Sequence, residues 1–264
     1  MNLERILVGC CLSKDQEAVW QAALDLARVH GSRLLPLHVI SGEGLLTSSG
    51  DAEAYAQGWL EQLAARAREA GVEVDTPRVL RGARPAGILL EQAKAWGASW
   101  VVIGAAERGG WERLLGTCAE ALCRESAVPV LVVPERGPSW TRVLCAVDGS
   151  EPARAALTVA MDLARSYSAP LSLLYVEVDG EAQRQAADEV MRSLGLHEVE
   201  VDVLSRRGAS VPEVIVAAQQ ETGADVLVLG TAGRTGLGRI LRPNTAEALL
   251  RKLPCALLVA PATA

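Results

Sequence analysis

Short apolar runs alternate with helical periodicity along the whole chain. Runs rich in β-branched residues fall at 6–10, 33–40, 73–80, 100–103 and 128–133, and again at 142–147, 171–178, 199–204, 226–229 and 255–259. Strands buried on both faces read as nearly continuous apolar runs, so the pattern predicts parallel sheet covered by helices on either side. Between the runs, Ala18, Val19, Ala22, Ala23, Leu26 and Ala27 form one stripe at helical spacing. Ala155, Ala156, Val159, Ala160, Leu163 and Ala164 repeat it. Both stripes are predicted to face a core.

The residues repeat as well as the pattern. ILVGCCLSKDQEAVWQAALDLARVHGSRLLPLHV at 6–39 corresponds to VLCAVDGSEPARAALTVAMDLARSYSAPLSLLYV at 143–176. IGAAERGGWERLLGTCAEALCRESAVPVLVVP at 103–134 corresponds to LGTAGRTGLGRILRPNTAEALLRKLPCALLVAP at 229–261. A period of roughly 130 residues is far longer than a solenoid unit, so each copy is a domain. The expected domains are 1–136 and 140–264, joined by Arg136-Gly137-Pro138-Ser139. The expected fold is α/β, two doubly wound open sheets of five parallel strands with helices on both faces. Within 41–58 the first half carries an extra stretch of about ten residues rich in Gly, Ser and Thr, which reads as a mobile loop with Asp51 opening the next helix.

Composition narrows the function classes. Half of the 264 residues are hydrophobic, enough for two cores. The apolar runs stop near about seven residues, short of the eighteen or so that span a bilayer, and no membrane association is expected. Net charge is −6 with basic residues scattered, which argues against a duplex-binding surface, so no nucleic-acid partner is expected. Six cysteines show neither CxxC nor Cys/His ligand spacing. With the first strand starting directly after Arg5, leaving no room for an export signal, a reduced cytoplasmic protein without metal or disulfide framework is expected. His30, His38 and His197 lack a partner pattern and read as structural or surface residues.

The second half holds the sharper candidate site. In an open parallel sheet, ligands bind beyond the carboxyl ends of the strands, where strand order reverses. Asp148-Gly149-Ser150 would emerge there after the half's first strand. Gly230-Thr231-Ala232-Gly233-Arg234-Thr235-Gly236 would emerge after its fourth, ahead of a helix starting near Asn244. A glycine-rich turn leading to a helix N-terminus gathers backbone N–H donors with no Cβ in the way, which suits phosphate. Arg234 adds a cation, and a carboxylate at a strand end can accept hydrogen bonds from a ribose. Structural roles account for some of the same residues. Asn244-Thr245-Ala246-Glu247 and Thr117-Cys118-Ala119-Glu120 fit a capping box, and Asp148 with Ser150 could simply order the turn before Pro152.

Taken together, these segments resemble a tandem universal stress protein, with two family domains covering essentially the whole chain. Nucleotide-binding members carry G-x2-G-x9-G-[ST] after the fourth strand and an Asp after the first. Here Gly230 and Gly233 keep the spacing, while Pro243-Asn244 stands at the closing Gly-Ser. The resemblance implies Asp148 at the ribose or adenosine, and Ala146 and the backbone of Val176 along the adenine slot. It implies Gly230, Gly233, Arg234, Thr235 and Gly236 around the phosphates, with Asn244 and Thr245 at their far end. ATP is the implied cofactor, with Mg2+ carried on the nucleotide; ADP or AMP are the alternatives, because Pro243 removes one backbone donor.

The first half departs further. Cys11 stands at the Asp position and Glu107 at the second glycine, and Gly116-Thr117 keeps the closing pair one residue early. At ~4 Å, like charges repel by about 4 kcal/mol at an effective dielectric near 20, worth two to three decades of affinity. This half reads as degenerate for triphosphate.

The leading expectation is a stress-response regulatory protein whose C-terminal domain binds an adenine nucleotide and signals to a protein partner. An interaction module with both sites decayed is the alternative. A nucleotide-using enzyme is the third; no Walker motif or placed nucleophile–base pair supports it, and slow ATP hydrolysis stays open. The apolar closing strands, each beginning beside Pro129 or Pro254, are expected to pair antiparallel within the chain. The result would be a pseudo-twofold intramolecular pair, with a further homodimer as an option.

Overall fold

The computed structural model describes residues 3–11, 16–41, 50–105, 118–177, 201–208, 210–231, 248–250, 252 and 254–262. It divides into two compact units. One comprises Asn2–Leu122 and Val130–Gly137; the other comprises Pro138–Ala264 together with Cys123–Pro129.

The N-terminal unit contains β1 (Arg5–Cys10), α1 (Gln16–His30), β2 (Arg33–Ile40), α2 (Gly50–Glu69), β3 (Arg78–Arg81), α3 (Pro85–Trp96), β4 (Trp100–Gly104) and β5 (Val130–Val133). α4 (Cys118–Glu125) lies between β4 and β5 in the chain. The C-terminal unit contains β6 (Val143–Val147), α5 (Glu151–Tyr167), β7 (Leu171–Glu177), β8 (Val201–Arg207), α6 (Val211–Thr222), β9 (Val226–Thr231) and β10 (Ala256–Pro261). Strand order is β3-β2-β1-β4-β5 in the first unit and β8-β7-β6-β9-β10 in the second. The ladders described within each unit are parallel.

Burial follows the apolar runs. Ile6, Leu7 and Val8 are fully buried, and all of β6 is buried. Along α1, Val19, Ala22, Ala23, Leu26 and Ala27 are buried, and so are their counterparts Ala156, Val159, Ala160, Leu163 and Ala164 along α5. Ala18 and Ala155 are half-buried at the flank of each stripe. Trp20 and Leu157, outside the stripes as read from sequence, are fully buried too. The apolar face of each helix is therefore wider than the stripe.

The repeat persists in detail. Gly97 and Gly223 end α3 and α6 in the left-handed region, at φ 71° and 64°. Beside them Arg5 Nη1 donates to Trp96 O at 2.7 Å, and Arg142 Nη1 donates to Thr222 O at 3.0 Å. A cation on the last carbonyls of a helix complements its dipole.

One expectation changes. The run at 73–80 is not one strand: Val74 makes an isolated parallel bridge to Leu34, and β3 itself begins at Arg78. Pro77, which has no N–H to give a ladder, lies at the break. Within 41–58 the helix opens where the sequence places it: α2 starts at Gly50 with Asp51 and Glu53 in its first turn, where carboxylates suit the helix dipole.

Candidate functional site

Strand order reverses beside the first strand of each unit: the chain runs outward through the second and third strands, then crosses back to the fourth. In the C-terminal unit this places the ends of β6 and β9 side by side, with Ala146 in register with Leu229. Asp148 and Thr231 lie two residues beyond that pair. Asp148 and Gly230 thus come to one strand edge, at the switch point where open α/β sheets receive ligands.

The turn after β6 is ordered from within. Asp148 Oδ1 accepts from Ser150 N at 2.9 Å. Gly149 takes φ 76°, a conformation that costs glycine least. Ser150 then caps α5, its Oγ accepting from Ala153 N at 3.3 Å, with Pro152 in the first turn. Asp148, Gly149 and Ser150 are all half-buried.

Gly230 sits directly against that helix start. A Cβ on it would fall onto the carbonyl group of Pro152 and lie 2.7 Å from Ala153 N. These are backbone atoms and cannot swing away, so only glycine lets β9 approach α5 this closely. The result is a strand end, a helix N-terminus and a half-buried carboxylate in one place. The helix dipole favours anions at such a start, while Ser150 already takes the Ala153 N–H. Ala146 is buried in β6, and Val176 is buried near the end of β7. Gly233, Arg234, Thr235, Gly236, Asn244 and Thr245 lie outside the described residues, as do Glu107, Gly116, Thr117, Pro243 and His197.

The N-terminal unit reaches the same switch point with other chemistry. Gly9 is in register with Ile103, so Cys11 follows β1 where Asp148 follows β6. The N–H of Cys11 donates to Gln16 Oε1 at 2.8 Å, and Gln16 is buried at the start of α1. The second unit has Ala153 at that position. Behind Cys11, His38 Nδ1 lies 2.8 Å from Cys10 O, and its ring meets Trp59 edge-on at 6.3 Å. Among the described residues, no group of three or more His, Cys, Asp or Glu side chains could hold a metal ion.

Sequence reading passed over two polar anchors. Gln16 reads as one more polar residue in a helix, and nothing in its spacing announces burial. Asp225 is the second: its Oδ2 accepts from Ser139 Oγ, Thr141 N and Thr141 Oγ1 at 2.6, 2.9 and 2.8 Å. It fastens the end of the expected linker to the start of β9, with Trp140 between them stacked on Tyr167 at 4.8 Å. The signal was a Ser-x-Thr beside a strand start, but its acceptor is more than eighty residues away.

Comparison with known proteins agrees with this architecture. The model of the universal stress protein family matches twice, at residues 2–134 and 139–261. Universal stress protein Mb2346c of Mycobacterium bovis is 25% identical, with 97% of this chain and 99% of its own covered. Universal stress protein MJ0531 of Methanocaldococcus jannaschii is 24% identical over 46% of this chain and 81% of its own. The crystal structure of a universal stress protein from Archaeoglobus fulgidus superposes with a TM-score of 0.76 at 24% identity, covering 98% of each chain. The cytoplasmic domain of a prokaryotic cation chloride cotransporter has the same fold at 15% identity and a TM-score of 0.58, over 98% of this chain and 96% of its own. Among the described residues no helix is long and apolar enough to cross a membrane. The chain belongs to the universal stress protein family and carries two of its domains in tandem.

Proposed function

We propose that the chain is a regulatory protein that binds one adenine nucleotide, in its C-terminal unit. The observation that carries this reading is the approach of Gly230 to the first turn of α5 beside Asp148, which brings a strand end, a helix start and a half-buried carboxylate together at the switch point. In this reading the ribose hydroxyls donate to Asp148, and the adenine lies along Ala146 and the backbone of Val176. The phosphates wrap onto Gly230, Gly233, Arg234, Thr235 and Gly236, and reach Asn244 and Thr245. ATP is the first choice of ligand, with its Mg2+ arriving on the phosphates. The nucleotide sets which surface is offered to a protein partner.

A second reading has its own observation. The bonds from Ser150 N to Asp148 and from Ala153 N to Ser150 satisfy this turn without any ligand, as an interaction module with a decayed site would need. One experiment separates the two. Protein purified without added nucleotide is denatured and the released small molecules are identified by mass spectrometry. A near-stoichiometric adenine nucleotide supports the first reading. No released ligand, together with no heat on titration with ATP, ADP or AMP, rejects it.

A further inference from the structure

The six cysteines divide by accessibility. Cys10, Cys123, Cys145 and Cys255 are buried, whereas Cys11 is exposed and Cys118 is partly exposed. The two accessible thiols belong to the same edge of the N-terminal unit. Cys11 follows the carboxyl end of β1 at the switch point, and Cys118 is the first residue of α4, which comes after β4, the strand paired with β1 there. Charge on Cys11 is felt at Cys118, which puts the two sulfurs within electrostatic reach of one another. Cys10 is a poor partner for its neighbour. Successive side chains of a strand point to opposite faces, and Cys10 is turned into the core, where Sγ lies 3.5 Å from Val8 O.

We propose that Cys11 and Cys118 are a redox pair, closed to a disulfide by an oxidant of the peroxide class, at the switch point of the N-terminal unit, where Cys11 takes the position that Asp148 has in the other unit. The inference concerns the N-terminal unit and does not depend on nucleotide binding by the other. In the first step the Cys11 sulfur attacks one peroxide oxygen. An S–O bond forms, the O–O bond breaks, and the departing hydroxide takes up the thiol proton as water, leaving a sulfenic acid. In the second step Cys118 gives up its proton and its sulfur attacks that of Cys11. The S–S bond forms, the S–O bond breaks, and the hydroxide leaves as a second water. Two thiols are oxidised by two electrons in all, and one peroxide is reduced to two waters. Burial first, and then the charge of Cys11, push the Cys118 thiol up to about 11, so it is protonated at neutral pH and gives up that proton only as its sulfur attacks. Closure would tie the first turn of α4 to the end of β1.

The test treats the full-length protein with hydrogen peroxide, blocks remaining thiols, and maps disulfides by peptide mass spectrometry. An intramolecular link between Cys11 and Cys118, reversed by dithiothreitol, is the expected result in the unmodified sequence. Cys118→Ser should hold Cys11 as a sulfenic acid that a cyclic 1,3-diketone captures. Cys11→Ser should abolish the peroxide-dependent loss of thiols, and it also separates Cys11 from Cys10, which shares its tryptic peptide. Linkage of Cys11 to a second chain, its over-oxidation without a link, or no oxidation at Cys11 would each overturn the proposal. None of these outcomes alters what the nucleotide-release experiment reports.

Discussion

The two units arrive at one geometry by different means, and the difference lies in a few residues at the strand ends. After β6 the chain places Asp148, a glycine in the left-handed region and a serine cap. After β1 it places Cys11, whose N–H is held by the side chain of buried Gln16. The first arrangement keeps a half-buried carboxylate at the switch point. The second fills the position with an exposed thiol and uses a buried amide to hold the backbone. The sheets, the helix caps and the arginines at the strand starts are alike. Duplication has therefore preserved what folding needs, while the cleft chemistry has diverged. Folding constraints act on packing and backbone satisfaction, and either turn meets them.

Gly230 packs against the start of α5 and also belongs to the proposed nucleotide site, so changing it should have the largest effect. A methyl there meets immovable backbone of Pro152 and Ala153, whereas a methyl at Gly9 meets Ile103 and Leu89 side chains, the nearest atom at 2.8 Å. Gly230→Ala should cost about 3 kcal/mol or more and Gly9→Ala about 1 kcal/mol. Ala146, the natural counterpart of Gly9, shows that the fold accepts a methyl at that position. Urea denaturation followed by hydrogen exchange in each unit measures both. Equal costs would mean that side chains and backbone yield alike at the two positions.

The next effects concern ligand rather than fold. Gly233→Glu copies Glu107 into the C-terminal unit, and like charge facing phosphate should lower nucleotide affinity at least about a hundredfold. Asp148→Cys copies Cys11. It removes a charge-assisted hydrogen bond worth about 1.5–3 kcal/mol, so affinity should fall roughly ten- to a hundredfold. Titration calorimetry should find one site per chain before substitution, and two equivalent sites would erase the contrast between the units. Cys11→Asp alone should not create a second site, since Glu107 would remain.

How much of this was legible follows from how local each signal is. Strands buried on both faces announce themselves as apolar runs, and the core helices as stripes with alanine counterparts half the chain apart. The broken third strand was legible in principle, because Pro77 stands within the run. The role of Gly230 was only half legible. Glycine after a strand suggested phosphate, yet the structure gives it a packing reason that holds without ligand. Gln16 and Asp225 were not legible, because polar anchors are defined by partners that only the tertiary fold brings near. Cys11 was legible as a strand-end thiol open to solvent, whereas Cys118 is an ordinary small residue until its accessibility is known.

The smallest expected effect tests the other long-range difference between the units. Asp225 has Ser99 as its counterpart. Ser99 Oγ accepts from Arg5 N at 3.0 Å and donates to Arg5 O at 2.9 Å, tying α3 and β4 to the start of β1. Asp225 instead collects three short bonds from Ser139 and Thr141, and its Oδ1 accepts a longer one from Arg142 N at 3.4 Å. Ser139, Thr141 and Arg142 are exposed and Asp225 is half-buried, so solvent takes back part of each bond when the carboxylate is removed. Asp225→Ser, which copies the first unit, should cost about 1 kcal/mol, and Ser99→Ala no more than that. Trp140 is held at φ 58° and stacked on Tyr167 between these bonds, so amide exchange beside it is the distinguishing readout. In Asp225→Ser the amide protons of Thr141 and Arg142 should exchange faster while those of β9 stay protected. Unchanged exchange at both amides would show that the aromatic stack alone fixes the linker's end, and that the carboxylate is dispensable there.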